Sequence, residues 1–176
     1  MDNLKYPIGP FAGKASLTDE ERNALIEELP KLTILLQDTL QSLTEEQLNT
    51  PYRKEGWTAR QVVHHLADNE LNAYFRLKKA LTEDEPMAGT YTQGLWADLP
   101  DYEFTPVQVS VTFLGALQQR LYVLLSHLEP KDFKRSFRTP AYGTLTIDDA
   151  LQRMIWHNKH HTAHVQLVVE GTHTEG

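Results

Sequence analysis

The sequence predicts an all-α protein built as a four-helix bundle, and three observations carry that prediction. Four long amphipathic segments place apolar residues at spacings of three and four, the repeat of a helix buried along one face. Each segment opens with a threonine followed three residues later by glutamate, glutamine or aspartate, the pattern of a capping box. Strand-like alternation is weak everywhere, and only Tyr142-Gly143-Thr144-Leu145-Thr146 suggests one extended turn. Helices that each bury one stripe are satisfied by packing on one another.

With 176 residues the chain fits one domain, taken as 1–176, with residues 1–17 as an irregular arm containing Pro7, Gly9, Pro10 and Gly13. The first helix is expected from Thr18 to Ser42. Thr18 and Glu21 form its box, and Leu25, Leu29, Leu32, Leu36, Leu40 and Leu43 form its stripe. Pro30 should kink this helix or mark a break. The second helix begins at Thr58, boxed by Gln61, and continues to about Leu81. A long loop follows, with Pro86, Gly89, Gly94 and Pro100, and loops of that length usually cover something. The third helix opens at Thr105-Pro106, an N-cap followed by proline at the first helical position, with Gln108 completing its box. Its stripe runs through Leu114, Leu117, Leu121, Leu124 or Leu125, and Leu128. The fourth helix opens at Thr146 with Asp149 and runs to about Glu170, where Gly171 stops it.

Composition excludes several chemistries. The chain has no cysteine, so disulfides, thiolate zinc sites, cysteine-ligated iron–sulfur clusters and cysteine nucleophiles are all impossible. A metal would rest on nitrogen and oxygen ligands. The formal net charge of -7 opposes binding to phosphate backbones, so no nucleic-acid partner is expected. The one basic cluster, Lys131, Lys134, Arg135 and Arg138, reads as a solvated loop. No apolar run approaches the roughly 18 residues of a membrane span, and no secretion signal is visible, so no membrane partner and a cytoplasmic location are expected.

Histidine carries the functional signal. His64 and His65 lie on the second predicted helix; His157, His160, His161 and His164 crowd the fourth; His127 and His173 lie at or beyond helix ends and read as surface residues. Two pairs four residues apart compete on the fourth helix, and either could grip a metal. On a helical wheel with His157 at zero, His161 falls near +40°, within the apolar face of Ile147, Ala150, Met154, Val165 and Val168. His160 and His164 fall near about -60° and -20°, at its margin. The inner pair is therefore the better ligand pair, with His164 better suited to support it. On the second helix, His65 sits at the edge of the face formed by Val62, Leu66, Ala73 and Leu77, whereas His64 should look to solvent or a partner subunit. His65, His157 and His161 thus form the expected metal-binding set. Asp68 could accept a hydrogen bond from one of these rings, and Asn69, Asn72 and Arg76 follow His65 along one side of the helix. They could line a polar pocket in which Arg76 grips a carboxylate or phosphate. Tyr91 and Trp96 in the long loop could cover it.

The segments Thr50-Pro51-Tyr52-Arg53, Gly56-Trp57-Thr58-Ala59-Arg60-Gln61-Val62-Val63-His64-His65-Leu66-Ala67-Asp68 and Trp156-His157-Asn158-Lys159-His160-His161-Thr162-Ala163-His164, with Tyr6-Pro7-Ile8-Gly9, resemble the bacterial YfiT-like proteins of the DinB superfamily. The resemblance implies a bundle of up-down-down-up type with one divalent metal per chain, zinc or nickel, held by residues matching His65, His157 and His161. It also implies a homodimer acting on a small-molecule substrate, either as a metal-dependent hydrolase or as a thiol transferase that uses a low-molecular-weight thiol such as bacillithiol.

Three nitrogen ligands leave a coordination position open for water or substrate, the mark of a catalytic site. A metal there can lower the pKa of water towards about 7, or deprotonate a thiol. The glutamate of an HExxH hydrolase is here Asn158, so no general base stands out. Hydrolase, thiol transferase and a non-enzymatic protein whose metal staples two helices all remain open at this stage.

Overall fold

The computed structural model describes residues 4–172 and is mostly helical. Helix α1 spans Asp19–Leu40, and a short α2 spans Glu45–Leu48. Helix α3 spans Ala59–Thr82, and the short α4 and α5 span Gln93–Trp96 and Pro100–Phe104. Helix α6 spans Val107–Ser126. A single 3-10 turn follows at Asp132–Lys134, then strands β1 at Ser136–Thr139 and β2 at Gly143–Thr146, and finally α7 at Ile147–Val169.

Three of the four expected capping boxes form. Thr18, Thr58 and Thr146 each accept from the N–H three residues on, and Glu21, Gln61 and Asp149 each accept from the threonine N–H. A further box, Thr44 with Gln47, starts α2. The box expected at Thr105 does not form. Its N–H, which Gln108 would have to accept, is spent on the Asp101 carbonyl that closes α5, so α6 starts after an uncapped Pro106. Helix α1 continues through Pro30 although the ring removes the bond to the Ile26 carbonyl. The expected extended turn is instead a two-stranded antiparallel hairpin with Phe137 opposite Leu145, and Gly143 at φ +68 makes its turn.

Side-chain pairs fix the directions of the long helices. Arg22 meets Asp148 and Glu28 meets Lys159, so α1 and α7 run parallel. His64 meets Ser110 and Tyr74 meets Arg120, so α3 and α6 run parallel. Glu27 meets Tyr122 and Thr33 meets Gln118, so α1 and α6 are antiparallel; His65 meets His161 and Asn69 meets His157, so α3 and α7 are antiparallel. The order is up-down-down-up, with α1 and α3 each packed on both α6 and α7. Two consecutive parallel helices require the chain to return the length of α3, about 36 Å for its 24 residues. This requirement explains the long loop. Residues 83–106 make the crossover, pinned to β1 where Arg138 donates to the Pro86 carbonyl and accepts from the Ala88 N–H.

Two apolar clusters fill the bundle, one around Leu29, Leu77, Leu121 and Leu151, the other around Leu36, Val62, Leu114 and Val165. Each long helix contributes one residue to a buried polar chain: Thr33, Glu70, Gln118 and Asn158. Thr33 donates to Gln118 Oε1, Gln118 Nε2 donates to Asn158 Oδ1 at 3.0 Å, and Asn158 Nδ2 donates to Glu70 Oε2 at 3.1 Å. Among the described residues, no helix is long and apolar enough to cross a membrane.

Candidate metal centre

One histidine of α3 and two of α7 meet where these antiparallel helices cross. His65, His157 and His161 each bring one ring nitrogen into a group whose members all lie within 4.8 Å of one another. His65 is buried at 1% exposure, whereas His157 and His161 are partly exposed as whole residues, and His157 lines a cleft. The Nε2 atoms of His65 and His157 are 3.2 Å apart.

Each ring has a separate partner for its Nδ1. Tyr91 Oη lies 3.4 Å from Nδ1 of His65, and the Asn69 amide lies 3.2 Å from Nδ1 of His157. An amide can present either its oxygen or its nitrogen there. Nδ1 of His161 lies 3.2 Å from Nδ1 of His164, whose Nε2 lies 3.2 Å from the Lys5 carbonyl. A carbonyl only accepts, so His164 carries its proton on Nε2 and its Nδ1 accepts from His161 Nδ1–H. His161 therefore keeps its lone pair on Nε2. Partners that hold Nδ1 and turn Nε2 toward the neighbouring rings are what a metal-binding histidine requires.

Burial lowers the pKa of all three rings. It brings His65 to about 4, and it holds His157 and His161 well below the ordinary value, assisted by the neighbouring histidines. Neutral rings have lone pairs to give, so three imidazoles without a carboxylate fit a borderline divalent cation. A second group, His160, His161 and His164, shares His161. It suits a cation less well, because both nitrogens of His164 are already engaged.

Not every expected position joins the site. His164 stacks on Tyr52 with ring centroids 3.8 Å apart and supports His161. Asp68 does not reach a ligand ring: its Oδ2 accepts from Tyr102 Oη at 2.7 Å, because the crossover brings α5 against this part of α3. Asn72 donates to the Asp68 carbonyl of its own helix. Arg76 donates through Nε and Nη2 to the Gly89 carbonyl, at 3.2 and 3.0 Å. That contact anchors the crossover two residues before Tyr91, which packs on Trp96 with centroids 4.4 Å apart. Trp57 closes another side, 4.7 Å from the His65 ring.

His64 does not face solvent. It is 4% exposed, with Nδ1 2.7 Å from Ser110 Oγ, because α6 lies parallel to α3 along that face. His127 is exposed as expected, and His173 lies outside the described residues. The basic loop is solvated and locally paired, Lys131 with Glu129 and Arg138 with Glu85. Two residues escaped the sequence reading although both left a signal. Glu70 stands in the stripe Val62, Leu66, Ala73, Leu77 at helical spacing, and Arg153 precedes His157 by one turn.

The DinB superfamily model matches residues 19–165 of the chain. A protein of Oceanobacillus iheyensis is 44% identical over 163 residues, covering 93% of this chain and 94% of its own, and one of Bacillus cereus strain B4264 is 42% identical over 165 residues, covering 94% and 95%. Both carry the name "Putative metal-dependent hydrolase". The solved structure of YfiT from Bacillus subtilis, described as a probable metal-dependent hydrolase with an unusual four-helix bundle topology, superposes with a TM-score of 0.93. It is 37% identical, covering 97% of this chain and 98% of that one.

Proposed function

This chain belongs to the DinB superfamily, and from that premise we infer that it is a metal-dependent enzyme whose cation is held by His65, His157 and His161. The observation that carries the reading is the set of three neutral imidazoles, each with Nδ1 engaged elsewhere and one of them, His157, lining a cleft. A divalent cation held there supplies Lewis-acid activation of a water or a thiol. The protein supplies position: Tyr91, Asn69 and His164 orient the rings, while Trp57 and Trp96 wall the site.

Hydrolysis is the first reading, since the relatives bear that name. Thiol transfer, with bacillithiol as the thiol, is favoured by one specific observation. The residue after His157 is Asn158, turned into the core on Glu70 and Gln118, and Asp68 is held by Tyr102, so neither offers a general base to a water. A thiol needs less help than water to ionise.

The first test is metal content by plasma mass spectrometry on untagged protein, wild type beside His161→Ala. Near-stoichiometric zinc or nickel in the wild type and loss in the variant are expected. Wild-type protein that holds no metal and takes up neither ion defeats the reading. Activity on ester or amide panels with and without added thiol then separates hydrolysis from transfer.

A further inference from the structure

We propose that the cleft beside His157 receives an anionic head group of the substrate, a carboxylate or phosphate, between the guanidinium groups of Arg76 and Arg153. The cleft has a volume of about 110 Å³, and its polar lining is Asn69, Arg76, Tyr142, Arg153 and His157. That is room for about four waters, enough for one such head group. Phe137, Leu145 and Met154 form apolar walls, which strengthen any charge interaction inside.

The two arginines come from the two helices that carry the histidines, and neither has a carboxylate partner among the described residues. In a chain with 24 acids and 17 lysines and arginines, two unneutralised guanidiniums lining one small cleft need a reason. Arg76 spends Nε and Nη2 on the single Gly89 carbonyl, which leaves Nη1 available. Arg153 packs against the rings of Phe11 and Tyr142, each centroid 4.5 Å from its central carbon. Ring contact of this kind fixes the guanidinium and leaves its in-plane N–H groups for an acceptor. Its Nε is buried and has no acceptor among the described residues. An ionised carboxylate or phosphate meets both requirements at once: it neutralises the pair and accepts from the orphaned donors.

His157 lines the same cleft, so an anion held there would extend toward the metal centre. The assignment of this anion to the substrate rests on the function proposed above. Its binding to the arginines does not.

Isothermal titration of the full-length chain with malonate and, separately, inorganic phosphate tests the proposal. The titrations are run at constant ionic strength on metal-free and zinc-reconstituted protein. Saturable binding to the metal-free wild type is expected for at least one probe, and which probe wins identifies carboxylate or phosphate chemistry. Arg76→Gln and Arg153→Gln should each weaken that binding at least tenfold. Arg120→Gln, a surface change remote from the cleft, should leave it unaltered. Arg153→Lys, which keeps the charge, guards against a folding artefact and should retain part of the affinity. Absence of binding, binding that needs zinc and ignores both arginines, or equal weakening by Arg120→Gln would each overturn the proposal. Arginine-dependent binding in a protein that takes up no metal would uphold it while defeating the metal reading.

Discussion

His161 and His164 face each other through their Nδ1 atoms at 3.2 Å, and the Lys5 carbonyl beyond His164 sets which ring donates. The chain of contacts runs from the N-terminal arm through two rings of α7 and ends on the Nε2 lone pair of His161. Replacing His164 by phenylalanine keeps a ring on Tyr52 but removes the acceptor for His161. Metal affinity should fall by about 10–100-fold with helicity unchanged, as measured by competition against a chromophoric chelator. Unchanged affinity would show that His161 does not depend on this partner.

Glu70 gives the stability of the bundle a pH dependence. Burial pushes its carboxyl up from 4.5 to about 7, and the bonds from Asn158 and Gln118 offset only part of that. The folded chain therefore holds this proton to a higher pH than the unfolded chain. The contribution of this group is fully present below about 4.5 and is lost as pH rises through about 7. Glu70→Gln mimics the protonated form, so the variant should be more stable than wild type at pH 8 and no more stable at pH 4.5. Urea denaturation of metal-free protein at the two pH values measures this, and a pH-independent difference would rule the linkage out.

Arg22 is buried at the foot of the bundle, where its Nε donates to Asp148 Oδ1 at 2.7 Å and its guanidinium lies 4.5 Å from the Phe133 ring. Side-chain exposures of 8% and 15% place this pair well out of solvent. Asp148→Ala leaves a buried cation with only the exposed Asp19 as an acidic partner. A loss of about 3 kcal/mol is expected in chemical denaturation. A loss below about 1 kcal/mol would mean that the pair behaves like a surface ion pair.

Thr58 caps the helix that carries His65, accepting from Gln61 N–H at 3.1 Å. Thr58→Ala should cost about 1 kcal/mol and lower Tm by about 2–4 °C, with metal stoichiometry retained. Loss of metal alongside a small Tm change would instead place the cap within the machinery of the site.

The sequence by itself determined the helices and the face on which each chemical group sits. Thr18 with Glu21, Thr58 with Gln61 and Thr146 with Asp149 satisfy one another within four residues, so no other part of the chain is needed to read them. The wheel also placed His157 and His161 within the apolar face of the fourth helix and His65 at the edge of that of the second, and the fold brings those three rings together. Only the tertiary structure decided what covers each face. His64 is buried because α6 runs parallel to α3 and brings Ser110 to it, and Asp68 is claimed by Tyr102 of the crossover. Thr105 fails as a cap because its N–H already closes α5. Arg153 and Arg76 share a cleft only because α3 and α7 are antiparallel neighbours. Helical period sets the direction of a side chain from its own turn, but its partner lies dozens of residues away and is chosen by the order in which helices pack.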